Sequence, residues 1–137
     1  MSSACLGCQL ANGEVQAHVV YENERITCLL DIAPINEGHV LIMPKRHIVE
    51  AEEMDEETMR AVMLAAKQIS RGLKACFAPD GISMMQNGGV FNDLGHYHLH
   101  VFPRYRGDGF GWVEANAANE AAKRLVETKM KLVNHIN

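Results

Sequence analysis

A chain of 137 residues with 47% apolar content is long enough to bury one sizeable core and short for two ordinary domains. Its formal charge of -4, with 13 Lys and Arg, argues against general binding to nucleic acid and leaves room only for a local site for a small phosphate ligand. No apolar run approaches the roughly 20 residues of a membrane span, and Met1-Ser2-Ser3-Ala4-Cys5 has neither the basic start nor the apolar core of a signal peptide, so no membrane partner and a cytoplasmic setting are expected.

Cys5-Leu6-Gly7-Cys8 comes first, ahead of the turn dipeptide Asn12-Gly13. In a reducing compartment four cysteines read as thiols or metal ligands, and a two-residue spacing suits a tetrahedral site. A redox pair would sit between a strand and a helix, whereas this motif precedes any strand. Two small buried side chains are the bland alternative.

Val19 to Glu22, a turn at Asn23-Glu24, and Ile26 to Asp31 read as a hairpin. After a loop with Pro34, Asn36 and Gly38, His39 to Pro44 is a third strand, apolar throughout and therefore central. Asp31 closes one strand and His39 opens the next, so both can share one edge of the sheet.

Asp55-Glu56-Glu57 reads as an N-cap with acids in the first helical turn. Met59, Val62, Met63, Ala66, Ile69 and Leu73 then recur at helical spacing, which predicts an inward stripe, and Phe77-Ala78-Pro79-Asp80-Gly81 ends the helix. Ile82 to Asn87 is a fourth strand candidate, followed by a loop rich in Gly, Asn and Asp. Backbone N–H groups of such a loop could approach phosphate, and a plain hairpin connection would use the same residues.

The fifth strand candidate is His96-Tyr97-His98-Leu99-His100-Val101-Phe102-Pro103-Arg104. Alternation puts His96, His98 and His100 on one face and Tyr97, Leu99 and Val101 in a core. Neighbouring histidines in that row stand about 6.6 Å apart and the outer two about 13 Å apart. One zinc ion, with ligand distances of about 2 Å, cannot take all three, so the row divides its labour. From Asn116 onward apolar residues follow helical spacing. The fold class is therefore α+β: a mostly antiparallel five-stranded sheet, a long central helix and a C-terminal helix over about residues 116–135, all within one domain spanning 1–137 with its core at about 5–112.

Together, Cys5-x-x-Cys8, Leu30-Asp31-Ile32 leading through Gly38-His39 to Pro44-Lys45-Arg46-His47, Asn87-Gly88-Gly89, and His96 to Arg104 with Arg106-Gly107-Asp108-Gly109-Phe110 resemble the histidine triad (HIT) family in its small bacterial zinc-containing form. The resemblance implies a homodimer that binds a purine nucleotide or nucleotide conjugate and acts as a hydrolase or nucleotidyltransferase at the α-phosphate. His98 would be the nucleophile, forming a covalent nucleotidyl-histidine, with His100 on phosphate oxygens and His39 near the leaving group. It further implies that Asp31 accepts from ribose hydroxyls, Ile32 lies against the base, and Asn87 and Asn92 lie near phosphate. Structural zinc would be held by Cys5, Cys8, His47 and His96.

The pattern departs from many relatives at Asn92 and Asp93, which stand where Gln and Ser or Thr contact phosphate. An ionised Asp93 there repels phosphate unless it turns away or faces a metal-complexed or unusual leaving group. Two other function classes remain open at this level. One is a nucleotide-binding interaction module with little turnover. The other is a metal-storage or redox cluster, which requires more than one metal per chain or cysteine-dependent electron transfer.

Overall fold

The computed structural model describes residues 5–113 and 120–136. Five antiparallel strands form one sheet: β1 (Val19–Glu22), β2 (Ile26–Leu30), β3 (Val40–Pro44), β4 (Gly81–Met85) and β5 (Leu99–Arg104), in the spatial order β1-β2-β3-β5-β4. The apolar run of β3 does take the centre, and all five of its residues are buried.

Alternation sorts the sheet residues between two cores. Ile26, Cys28, Val40, Ile42, Leu99 and Val101 face the long helix α2 (Glu56–Phe77), while Leu29, Leu41 and Met43 face the short helix α1 (Leu6–Ala11) with Ala11. Fully buried Ile26, Ile42 and Phe102 each contribute about 1.5–3 kcal/mol by leaving water. The α1 side leaves part of the sheet uncovered by helix, and that part carries the histidines.

Helix α2 begins where the N-cap was read. Asp55 Oδ2 accepts from the Thr58 amide at 3.2 Å, and Ala78, in the left-handed region at φ 45°, ends the helix. Its inward face differs from the predicted methionine stripe. Thr58, Val62, Ala65, Ala66 and Leu73 are buried, whereas Met59 and Met63 are 43% and 57% exposed. The helix is rotated so that the two alanines lie against the sheet, and long methionines on that line would hold it away.

Strand limits also shift. β5 starts at Leu99, so His96 and His98 precede the ladder. The Tyr97 amide donates to the Ile48 carbonyl at 2.7 Å, outside the strand pairing. Tyr97 nevertheless joins the α2-side core, which preserves the predicted alternation. His39 and Asp31 fall just outside β3 and β2, and β4 runs from Gly81 rather than from Ile82 to Asn87. Helix α1 went unread in the sequence.

The C-terminal helix expected over about 116–135 is a 3-10 turn, Ala121–Arg124, followed by α3 (Leu125–Val133); residues 116–119 lie outside the described residues. Among the described residues no helix is long and apolar enough to cross a membrane.

Candidate active site and metal centre

The approach to β5 splits the histidine row as its spacing requires. His96, fully buried, turns to the N-terminal motif, and His98 and His100 turn to a cavity of about 690 Å³ on the α1 side of the sheet. Leu6 and Leu10 of α1, Leu29, Leu41 and Leu94 supply its apolar wall, with Asp31, Ile32 and Asp93 at its polar end. That volume suits a ligand of mononucleotide size. The apolar contribution of α1 and the lining by His18 were missed in the sequence; Leu6 and Leu10, four apart on one helix face, were the available signal. A separate hollow of about 700 Å³ lies between the β1–β2 turn and α2, away from the histidines.

The hydrogen bonds assign ring protons. His98 Nδ1 stands 2.8 Å from the His96 carbonyl oxygen, so Nδ1–H donates and the neutral ring keeps its lone pair on Nε2. Asp93 Oδ1 lies 3.4 Å from that Nε2 on a side chain 89% exposed. His39, 2% exposed, lies behind His100 rather than in the cavity wall, with its Nε2 2.8 Å from His100 Nδ1. Burial pushes both rings toward the neutral form, against the opposing pull of Asp31, and takes His100 down to about 4.

The remaining expected residues are placed as follows. Asp31 Oδ1 accepts from the Ala33 amide at 2.9 Å and its Oδ2 lies 3.6 Å from His39 Nε2, while Ile32 is 92% exposed at the cavity rim. Asn92 works within its own loop: Oδ1 accepts from the amides of Leu94 and Gly95 at 3.1 and 3.0 Å, and Nδ2 reaches the Val49 carbonyl at 3.4 Å. Neither Asn92 nor Asn87 belongs to the cavity lining.

A second centre forms where α1 meets His96. Cys5 caps that helix, its Sγ accepting from the Cys8 amide at 3.2 Å. The ligand atoms of Cys5, Cys8, His47 and His96 all lie within 4.8 Å of one another. His96 Nδ1 is 3.6 Å from both sulfurs, and His47 Nδ1 is 3.2 Å from Cys8 Sγ. Tetrahedral zinc with bonds of about 2.3 Å to sulfur and 2.05 Å to nitrogen separates such atoms by about 3.6 Å. His96 Nε2 donates to the Pro44 carbonyl at 2.7 Å, which fixes the tautomer with Nδ1 bare, the outer contact that a ligating histidine needs. Burial and the neighbouring Cys5 push the Cys8 thiol up to about 11, a cost that a bound cation offsets by stabilising the thiolate. The donor set fits zinc.

Gly7 permits this junction. A Cβ there would lie 2.2 Å from His96 Cβ, so α1 reaches the histidine only without a side chain. Asp31, His39 and His100 also cluster, but as a hydrogen-bond chain: the Ile35 amide donates to His39 Nδ1 at 3.0 Å, which puts the ring proton on Nε2, where a metal would have to bind.

A profile of the HIT domain matches residues 12–107. The chain belongs to the HIT family. An uncharacterised HIT-like protein of Mycoplasma genitalium is 34% identical, over 96% of this chain and 93% of the relative. A crystal structure of a HIT family protein from Bacillus anthracis superposes with a TM-score of 0.85 at 28% identity, covering 100% of both chains. A Zn-bound histidine triad family protein from Mycobacterium smegmatis gives a TM-score of 0.72 at 29% identity over 96% of each chain. An adenosine 5'-monophosphoramidase of Schizosaccharomyces pombe is 26% identical over 90% of this chain and 94% of the relative. The antiparallel sheet with its long helix is thus the HIT fold, as the motifs implied.

Proposed function

We propose that this HIT protein is a hydrolase or nucleotidyltransferase for purine nucleotide conjugates, adenosine phosphoramidates or dinucleoside polyphosphates, attacked at the α-phosphate. The observation that carries the reading is the hydrogen bond from His98 Nδ1–H to the His96 carbonyl, which leaves a lone pair on Nε2 at the cavity. The phosphoramidase relative from fission yeast supports the substrate class.

His98 Nε2 forms a bond to the α-phosphorus as the bond to the leaving group breaks, and the leaving group departs with the bonding pair, an amine taking up a proton from solvent as it goes. Water or another acceptor then displaces His98, loses a proton, and releases the monophosphate or a transferred product. His100 stabilises the phosphoryl oxygens through a ring N–H. His39 acts through His100, Asp31 accepts from the ribose hydroxyls and Ile32 covers the base. Asn92 keeps the loop before His96 in shape.

Cys5, Cys8, His47 and His96 hold a structural zinc ion in this reading. Four protein ligands leave no open position for a catalytic water, so the ion's chemistry is to pin the N-terminal helix to the approach of the nucleophile's strand. One metal per chain is expected, and no nucleic acid or membrane enters the function. The chain works as a single-domain homodimer in the cytoplasm. The free edge of β4, with Met84 45% exposed, and exposed Met59 and Met63 on α2 support a covered face.

The decisive experiment is intact-mass analysis after an acid-free quench with an adenosine phosphoramidate or a diadenosine polyphosphate, run beside His98→Ala. A nucleotidyl adduct on the unmodified chain only, with monophosphate released, supports the enzyme. Asp93, a carboxylate 3.4 Å from the nucleophilic nitrogen, favours a second reading as a nucleotide-binding interaction module with little turnover. Tight nucleotide binding without adduct or turnover would establish that alternative.

A further inference from the structure

The loop between β2 and β3 holds one atom on which the site's proton order depends. The Ile35 amide donates to His39 Nδ1 at 3.0 Å. A backbone N–H can only donate, so Nδ1 is bare and the ring proton sits on Nε2. That N–H points at His100 Nδ1, 2.8 Å away, which is bare in turn, and the His100 proton occupies Nε2. His100 thereby offers a donor to an anion. With the opposite order it would offer a lone pair, and attraction would become repulsion.

The placement of Ile35 depends on its neighbour. Asn36 Nδ2 donates to the Pro103 carbonyl at 2.8 Å and to Asp108 Oδ2 at 3.0 Å. The Asp108 carboxylate, 6% exposed, also accepts from Arg104 Nε at 2.7 Å, Arg104 Nη2 at 3.0 Å, the Tyr105 amide at 3.0 Å and the Phe110 amide at 3.1 Å. A second path runs from the same knot. Arg104 covers the Phe110 ring at 4.9 Å, Phe110 meets Phe102 edge-on at 5.4 Å, and Phe102 lies 4.8 Å from the His39 ring. The imidazole is therefore held both through its hydrogen bond and against its face.

We infer that Asn36 and Asp108 form a positioning pair that sets the tautomer of His39 and, through it, makes His100 a donor from Nε2. Neither residue lines the cavity. The Arg104 guanidinium beside Asp108 holds its carboxyl well below the usual carboxylate range, so the knot stays charged through the neutral range. The kinetic consequence rests on the nucleotidyl-transfer reading, whereas the tautomers do not.

The test is long-range proton–nitrogen NMR of the imidazole rings, which reports the protonated nitrogen of each histidine, on the full chain with Asn36→Ala and Asp108→Asn. Asp80→Ala is the control, because Asp80 accepts from the Arg106 amide in the same loop at 2.8 Å without touching Asn36. The unmodified chain and the control should show His39 and His100 both protonated on Nε2. Asn36→Ala should give mixed tautomers at both rings and lower kcat roughly ten- to hundredfold with KM changed less. Asp108→Asn should do the same if it folds, and Asn36→Ala decides alone if it does not. Unchanged tautomers in folded Asn36→Ala would overturn the inference, as would an equal shift in Asp80→Ala. Tautomers that shift in a protein with no turnover would uphold the positioning pair and count against the proposed reaction.

Discussion

His98 donates from Nδ1 to the main-chain oxygen of His96, two residues upstream, across 2.8 Å. His96 thus orients the proposed nucleophile through its backbone while its own ring faces Cys5 and Cys8. His98→Ala should cut turnover roughly a thousandfold or more while nucleotide affinity, measured by calorimetry, changes far less. Comparable losses of affinity and turnover would mean that His98 binds rather than attacks.

Metal removal should act on stability first. Cys8→Ser, or chelation of the purified protein, should lower the thermal midpoint and abolish the expected one zinc per chain, read by elemental analysis. Nucleotide turnover of the remaining folded fraction should persist. A protein whose midpoint ignores both treatments would exclude a structural ion.

Gly7→Ala offers a sharper probe of the same junction. The added methyl would stand 2.2 Å from His96 Cβ, so α1 must shift away from His96. A loss of about 1–3 kcal/mol in urea unfolding, with weakened zinc retention, is expected. Full stability and full metal content would show that the junction is looser than this contact requires.

Acid should destabilise the fold through His100. Its folded value of about 4 lies below the roughly 6.5 of an unfolded histidine, so in that interval the unfolded chain binds a proton that the native site refuses. Stability therefore falls as pH drops from about 6.5 toward about 4, by about 3 kcal/mol at most from this ring. Urea midpoints at a series of pH values should flatten in His100→Asn; an identical slope would assign the effect elsewhere.

Asp93 should select against extra negative charge at the phosphate. Replacing it with Ser should raise kcat/KM for anionic nucleotide conjugates about twofold to fivefold at low salt, and the gain should shrink as salt is added. A loss of activity on that substitution would instead give the carboxylate a positive role beside His98.

The sequence by itself determined the family, through the motifs that carry the resemblance, and it held the succession of strands along the chain and the division of the histidine row, because period-two alternation and the reach of a metal bond are local quantities that spacing carries. It also held the cap at Asp55 and the central place of β3. Tertiary structure decided what depends on rotation and on long-range approach. Met59 and Met63 turn outward because Ala65 and Ala66 allow α2 closer to the sheet. His39 retreats behind His100, Asn92 spends its side-chain oxygen on its own loop, and α1 supplies an apolar wall that no strand pattern announces. The ring-proton order of His39 and His100 lies furthest from the sequence, since it depends on the Ile35 amide, held in place by Asn36 and by Asp108 from a distant loop. Residue type names the groups able to donate or accept, and only their placement in space decides which of them does.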